Sequence, residues 1–189
     1  MGTAVKFAGR TYSIPRGVFD PEHHLSGLLV AKYLTEQVHE WAGRSVLEVG
    51  TGCGILAGAL YDSGADVTAT DISKTAVNAA VANLSATNVE VRCGDGFEPV
   101  AGRRFDAIVV NPPYETGRSL RPLYRSAHLL DVLAAQWQTY ADELVLAFPT
   151  DDQETLRDVG FELDLDERLS SPGRELGIFR SRGERRVDP

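Results

Sequence analysis

The stretch Ser45 to Gly54, SVLEVGTGCG, limits what this chain can fold into more than any other. Val46, Leu47 and Val49 make a buried strand, and Gly50, Gly52 and Gly54 make the turn after it. Ile55 to Tyr61 then carries helix-forming character. Strand, glycine-rich turn and helix together place backbone N–H groups and a helix N-terminus at the carboxyl edge of a sheet. That edge is where open α/β folds bind nucleotide-like ligands. Glycine suits such a turn because the ligand must approach the backbone closely and the turn can demand positive φ. A dinucleotide fingerprint G-x-G-x-x-G would put its third glycine at position 55, which is Ile55 here. The glycines alternate instead, and the acidic Glu48 precedes the first by two.

The rest of the chain supplies the alternation that an α/β fold needs. Val5 to Ile14 is an extended or hairpin-like lead-in, and GVFDP (Gly17 to Pro21) turns into a helix from about Glu22 to Trp41. Its apolar positions Leu25, Leu28, Leu29, Leu34, Val38 and Trp41 recur near helical spacing. Asp66 to Thr70 is a second strand ending at Asp71. Ser73 is positioned to cap a helix through Leu84 whose inner face carries Ala76, Val77, Ala80, Val81 and Leu84. Val89 to Cys93 is a third strand, followed by Gly94-Asp95-Gly96-Phe97. Phe105 to Val110, FDAIVV, is a nearly continuous apolar run, as expected of a strand covered on both faces. A helix around Pro122 to Tyr140, a strand Leu144 to Phe148 and a short helix Gln153 to Val159 follow. Phe161 to Glu167 and Glu175 to Arg180 form a closing antiparallel pair, and the tail from Ser181 is polar. The expectation is one α/β domain over residues 1–189, a three-layer Rossmann-like sandwich, with a lead-in over 1–16 and a frayed tail over 181–189.

Composition narrows the class. A net charge of −8 argues against a broad nucleic-acid-binding surface, which neutralises phosphates with Lys and Arg. No apolar run approaches the ~20 residues of a membrane helix, and the N-terminus lacks a signal-peptide pattern. Two cysteines, Cys53 and Cys93, make no disulfide framework, so a cytoplasmic home is expected.

Three carboxylates fall at strand ends. Asp71 lies 21 residues after Gly50, where it can accept hydrogen bonds from both ribose hydroxyls; the bland alternative is a helix-capping acid. Asp95 can accept from an adenine amino group, with Phe97 as an apolar wall, or simply serve an Asp-Gly turn. Glu48 can sit near a cationic amino group, or satisfy N–H groups of the glycine loop. The chemistry falls at Asn111-Pro112-Pro113-Tyr114. Each proline forces the residue before it toward extended geometry and removes an N–H donor, leaving a stiff rim of acceptors. The Asn111 side-chain oxygen and the Pro112 carbonyl can both accept from one N–H₂ group, which leaves the nitrogen lone pair directed toward an electrophile. Tyr114 offers a face on which a planar amide, guanidine or base stacks.

The alternating glycines after Glu48 resemble motif I of the class I S-adenosylmethionine (SAM)-dependent methyltransferases. With NPPY at a later strand end, the chain looks most like the compact HemK-type N-methyltransferases that act on glutamine amides of release factors. The resemblance covers roughly residues 17 to 180. It implies a seven-stranded, mostly parallel sheet with an antiparallel C-terminal strand, and SAM as cofactor. It assigns cofactor-binding roles to Phe19, Pro21, Glu48, Gly50, Thr51, Gly52, Gly54, Asp71, Ile72, Asp95, Gly96, Phe97 and Asn111. Asn111, Pro112 and Tyr114 are the expected catalytic residues, with Pro113, Tyr114, His24, Arg118 and Arg121 toward the substrate. GVFDPEHH departs from the family after Pro21: His23, His24 and Leu25 stand where an acidic and a hydroxyl residue are usual. No metal is expected, because His23-His24 has no third ligand in view. Arg118, Arg121 and Arg125 are either a clamp for an anionic substrate group or a solvated helix face.

The acceptor expected is a protein glutamine or a small-molecule amine or amide. The rivals are a biosynthetic small-molecule methyltransferase, an adenine-N6 RNA or DNA methyltransferase, and a catalytically silent SAM-binding partner subunit. The acidic charge disfavours the nucleic-acid reading, and the intact Asn111 and Tyr114 argue against the silent one.

Overall fold

The computed structural model describes residues 2–22, 26–112, 126–171 and 174–182. Its first element is a hairpin of β1 (Thr3–Phe7) and β2 (Arg10–Ile14), closed by Ala8 and Gly9, both at positive φ. Such a turn matches the right-handed twist of the two strands. Helices α1 (Ser26–Glu36) and α2 (Val38–Trp41) follow. The single helix expected over this span breaks at Gln37, which leaves helical geometry (φ −100°, ψ 37°). The restart leaves Val38 44% exposed while Trp41 is fully buried.

Strand β3 (Ser45–Val49), α3 (Ile55–Asp62), β4 (Asp66–Asp71), α4 (Lys74–Asn83), β5 (Glu90–Cys93) and β6 (Phe105–Val110) then alternate. After them come α5 (Ser126–Tyr140), β7 (Ala141–Pro149), α6 (Gln153–Asp158), β8 (Asp164–Ser171) and β9 (Arg174–Arg182). Seven strands form one sheet in the order β5-β4-β3-β6-β7-β9-β8. β3 to β7 pair in parallel, whereas β9 runs antiparallel to both β7 and β8. This is the expected three-layer α/β sandwich with its antiparallel last strand.

Alternating strand residues feed two cores. Val46, Val67, Val109 and Val145 face one side with the hairpin, α1 and α3; Leu47, Ile108, Val110 and Leu146 face the other with Leu133 and Trp137 of α5 and Leu156 of α6. α4 carries a capping bond from the Ala76 N–H to the Ser73 hydroxyl, 3.4 Å. One expectation for this helix fails. Val81 is 51% exposed, because it lies about 100° round the helix from Ala80, off the line of close approach. Ala79 is buried instead.

Among the described residues no helix is long and apolar enough to cross a membrane. Among the same residues, no three His, Cys, Asp or Glu side chains converge to hold a metal ion.

Candidate active site

The order of the sheet reverses between β3 and β6, so their carboxyl ends part and leave a crevice. A cavity of about 690 Å³ opens there, within the range that buries small ligands. Its floor is the glycine turn. Gly50 and Gly52 sit at φ 82° and 58° with open space where a side chain would stand, so the backbone itself faces the cavity. The turn is pinned to β4 by the N–H groups of Gly50 and Thr51, which donate to the Thr70 carbonyl at 2.8 and 3.0 Å.

Asp71 does more than end its strand. Its carboxylate accepts from the Gly52 N–H at 2.9 Å and the Ser73 N–H at 2.8 Å, tying the glycine turn to the start of α4. The capping role and the cavity-facing role are therefore combined in one side chain. Burial pushes its carboxyl above the usual range, opposed by those two N–H groups. Each oxygen keeps acceptor capacity beyond its one backbone bond.

Glu48 is 2% exposed and lines the cavity. It accepts from the Thr51 hydroxyl at 2.6 Å and from the Ala57 N–H in the first turn of α3. Burial pushes its carboxyl up to about 7, and the neighbouring Asp71 adds to the rise. A carboxylate so desolvated favours an incoming cation.

The chain entering α1 crosses the same cavity, with Phe19 and Pro21 on the wall. Thr51, Ile72, Asp95, Gly96 and Asn111 also line it, so four strand ends and the N-terminal strap meet in one place. Ile72 is 62% exposed, a large apolar surface beside the Asp71 carboxylate.

Three expected site residues do not line it. Phe97 is 2% exposed and stacks on Tyr140 with ring centroids 4.3 Å apart. It belongs to the core under α5, because the C-terminal end of that helix returns across it. Gly54 is also absent from the lining. A Cβ there would come within 2.9 Å of Leu84 and 3.2 Å of Ala80, so this glycine lets α3 start close against α4. Pro112 is buried and follows Asn111 without lining the cavity. Pro113, Tyr114, Arg118, Arg121 and Arg125 lie outside the described residues, as do His23 and His24.

Sequence reasoning missed three charged or titratable liners: Arg16, Lys74 and His128. His128, in the first turn of α5, sits 3.2 Å from an Asp95 oxygen. Lys74 starts α4 just after Asp71, the one local signal among the three.

Nothing in this geometry needs an unusual ligand. The floor of bare backbone, the Asp71 carboxylate with acceptor capacity to spare and the buried acid Glu48 suit a nucleoside that carries a cation. The family model of the methyltransferase small domain matches residues 17–129, and the chain belongs to that family. Its sheet is that of the class I methyltransferases, and the chain is a methyltransferase domain.

Release factor glutamine methyltransferase of Bordetella pertussis is 36% identical over 118 residues, which are 58% of this chain and 42% of that protein. Protein-L-isoaspartate O-methyltransferase 2 of Rhodopseudomonas palustris is 41% identical over 90 residues, 46% of this chain and 42% of that one. The chain thus spans about two fifths of the length of these curated relatives. Magnesium protoporphyrin IX methyltransferase from Synechocystis PCC 6803, solved with bound SAM, shares the fold with a TM-score of 0.59 at 20% identity. That likeness covers 86% of this chain and 80% of the other.

Proposed function

We propose that this chain is a SAM-dependent N-methyltransferase of HemK-like type, acting on a protein glutamine amide. The observation that carries the reading is the placement of Asn111. It stands at the carboxyl end of β6, on the wall of the cavity that Asp71, Glu48 and the glycine turn also line. The assignment of SAM rests on family membership and on the fit of those residues. Asp71 would accept from the ribose hydroxyls, Glu48 would face the methionyl ammonium, and Asp95 would accept from the adenine amino group.

When bound, SAM supplies an activated methyl: the acceptor nitrogen forms the new N–C bond as the C–S bond breaks, and a proton leaves the nitrogen for solvent. The protein orients the acceptor. The Asn111 side-chain carbonyl, on the cavity wall, accepts from the amide N–H₂ and aims the lone pair at the methyl carbon. As positive charge grows on nitrogen this hydrogen bond strengthens, so it favours the transition state over the ground state. The apolar strap at Phe19 and Pro21 helps exclude water. The glutamine acceptor is supported by the release-factor relative and by NPPY. The isoaspartate relative, which acts on a carboxylate oxygen by its name, supports only methyl transfer in general.

Asn111→Ala is expected to lower kcat by roughly 10²–10³, the cost of one preorganised polar partner of the transition state, with SAM affinity nearly unchanged. Equal loss of both would make Asn111 structural. Incubation with labelled SAM against release factor, tRNA and a metabolite extract identifies the acceptor. Label on a release-factor glutamine is expected; label confined to tRNA or metabolites overturns the glutamine assignment.

A further inference from the structure

The N-terminal hairpin is not part of the main sheet, yet one side chain joins it to the floor of the cavity. Asn83, the last residue of α4, accepts from the Ser13 N–H at 2.9 Å and donates to the Ser13 carbonyl at 2.9 Å. The same amide nitrogen donates to the Cys53 carbonyl at 2.9 Å. Ser13 belongs to β2 and Cys53 lies in the glycine turn, where it lines the cavity. The chain leaving β2 becomes the strap, residues 15–21, which carries Arg16, Phe19 and Pro21 over that cavity.

The strap is fastened at its other end too. The Thr3 hydroxyl donates to Asp20 at 2.7 Å, and Pro21 sits so close to α1 that a Cβ on Gly27 would come within 2.6 Å of it. Behind the hairpin, Tyr12 packs where Gly58 of α3 carries no side chain, and Arg10 pairs with Asp62 at 3.0 Å. Those contacts hold the hairpin to α3, and the Arg10–Asp62 pair lies toward the other end of β2 from Ser13.

We infer that Asn83 is a positioning residue of the cofactor site, fixing the strap against the glycine turn so that the cavity is built before its ligand arrives. The inference rests on the reading of that cavity as the SAM site. A strap with no helix or strand of its own loses backbone conformational freedom when it is ordered. Without Asn83 that ordering falls to the ligand, which binds more weakly as a result.

The test is calorimetric titration of the full chain and its variants with SAM, beside thermal melts without ligand. Asn83→Ala is expected to raise the SAM Kd about tenfold or more and the SAM KM with it, with kcat at saturating SAM within about twofold. Asn83→Asp keeps the side chain's size and one acceptor but loses both donors. It should shift Kd in the same direction, and it carries the test if the alanine variant fails to fold. Arg10→Ala loosens the hairpin elsewhere, so it should lower Tm without moving Kd. The inference is overturned if both Asn83 variants bind SAM like the wild type, or if Arg10→Ala weakens binding as much as they do. A wild type that takes up no SAM removes the donor assignment itself, whereas normal wild-type binding with unchanged variants removes only the role of Asn83.

Discussion

At the carboxyl edge of the sheet Glu48 and Asp71 are met by neutral donors: the Thr51 hydroxyl and the N–H groups of Ala57, Gly52 and Ser73. At the amino edge the buried acid Glu143 is met by cations instead. Arg180, 8% exposed, stands 3.0 Å from Glu143 and 2.8 Å from Glu40, and its Nε lies 2.9 Å from Asp166. Arg44 reaches the second Glu143 oxygen at 2.8 Å, and the Tyr33 hydroxyl accepts from Arg180. The amino-edge acids are neutralised from within the chain and tie α1, α2, β8 and β9 to the strand starts. The cavity acids meet neutral donors instead, which leaves their ionised forms open to stabilisation by an incoming cation. Carboxylates at the two edges of one sheet therefore have different work, and the partner decides which.

The largest effect that would break this contrast concerns the fold. Arg180→Met strips the guanidinium from Glu143, Glu40 and Asp166, and should cost about 3 kcal/mol of stability. Denaturant unfolding measures it, with SAM affinity expected to stay put. A loss of affinity as large as the loss of stability would erase the distinction between the edges.

Asp71→Ala should do the reverse. SAM affinity is expected to fall by about 2 kcal/mol, roughly thirtyfold in Kd, with a smaller loss of stability from the two released N–H groups. Calorimetry and melts on the same sample separate the two.

The smallest effect sharpens the contrast through pH. The Glu48 carboxyl is raised from 4.5 to about 7 by burial, so its protonated form is the one the fold favours. Its contribution to stability is full below about 4.5 and is lost as pH rises through about 7. Glu48→Gln should therefore melt higher than the wild type above pH 7, with the gap closing as pH falls. SAM binding to the wild type should tighten as pH rises through that range, because the ionised acid faces the ammonium. Glu48→Gln should flatten that dependence. An unchanged profile would mean the ammonium lies elsewhere.

Which parts of this were legible in the sequence follows from how local their physics is. The glycine turn, Asp71 and the strand ends were legible because turn chemistry and apolar runs act over a few residues. Asn111 was legible because the two prolines after it mark a strand end. Phe97 was misread: an aromatic after Asp-Gly suits a cavity wall, and only the C-terminal end of α5, far along the chain, places Tyr140 against it. Gly54 was misread for a similar reason, since its crowding comes from Leu84 and Ala80 on another helix. His128 and Arg16 reach the cavity from α5 and the strap with no local signal at all. The Arg180 cluster draws on residues from Tyr33 to Arg180, so no window of sequence contains it.

The most direct test of the central claim is a calorimetric titration of the intact chain with SAM, repeated on Asp71→Ala. One-to-one binding by the wild type, weakened at least tenfold in a variant that stays folded, is the predicted result. No heat with the wild type, or equal binding by both, would contradict the placement of the methyl donor at the carboxyl edge.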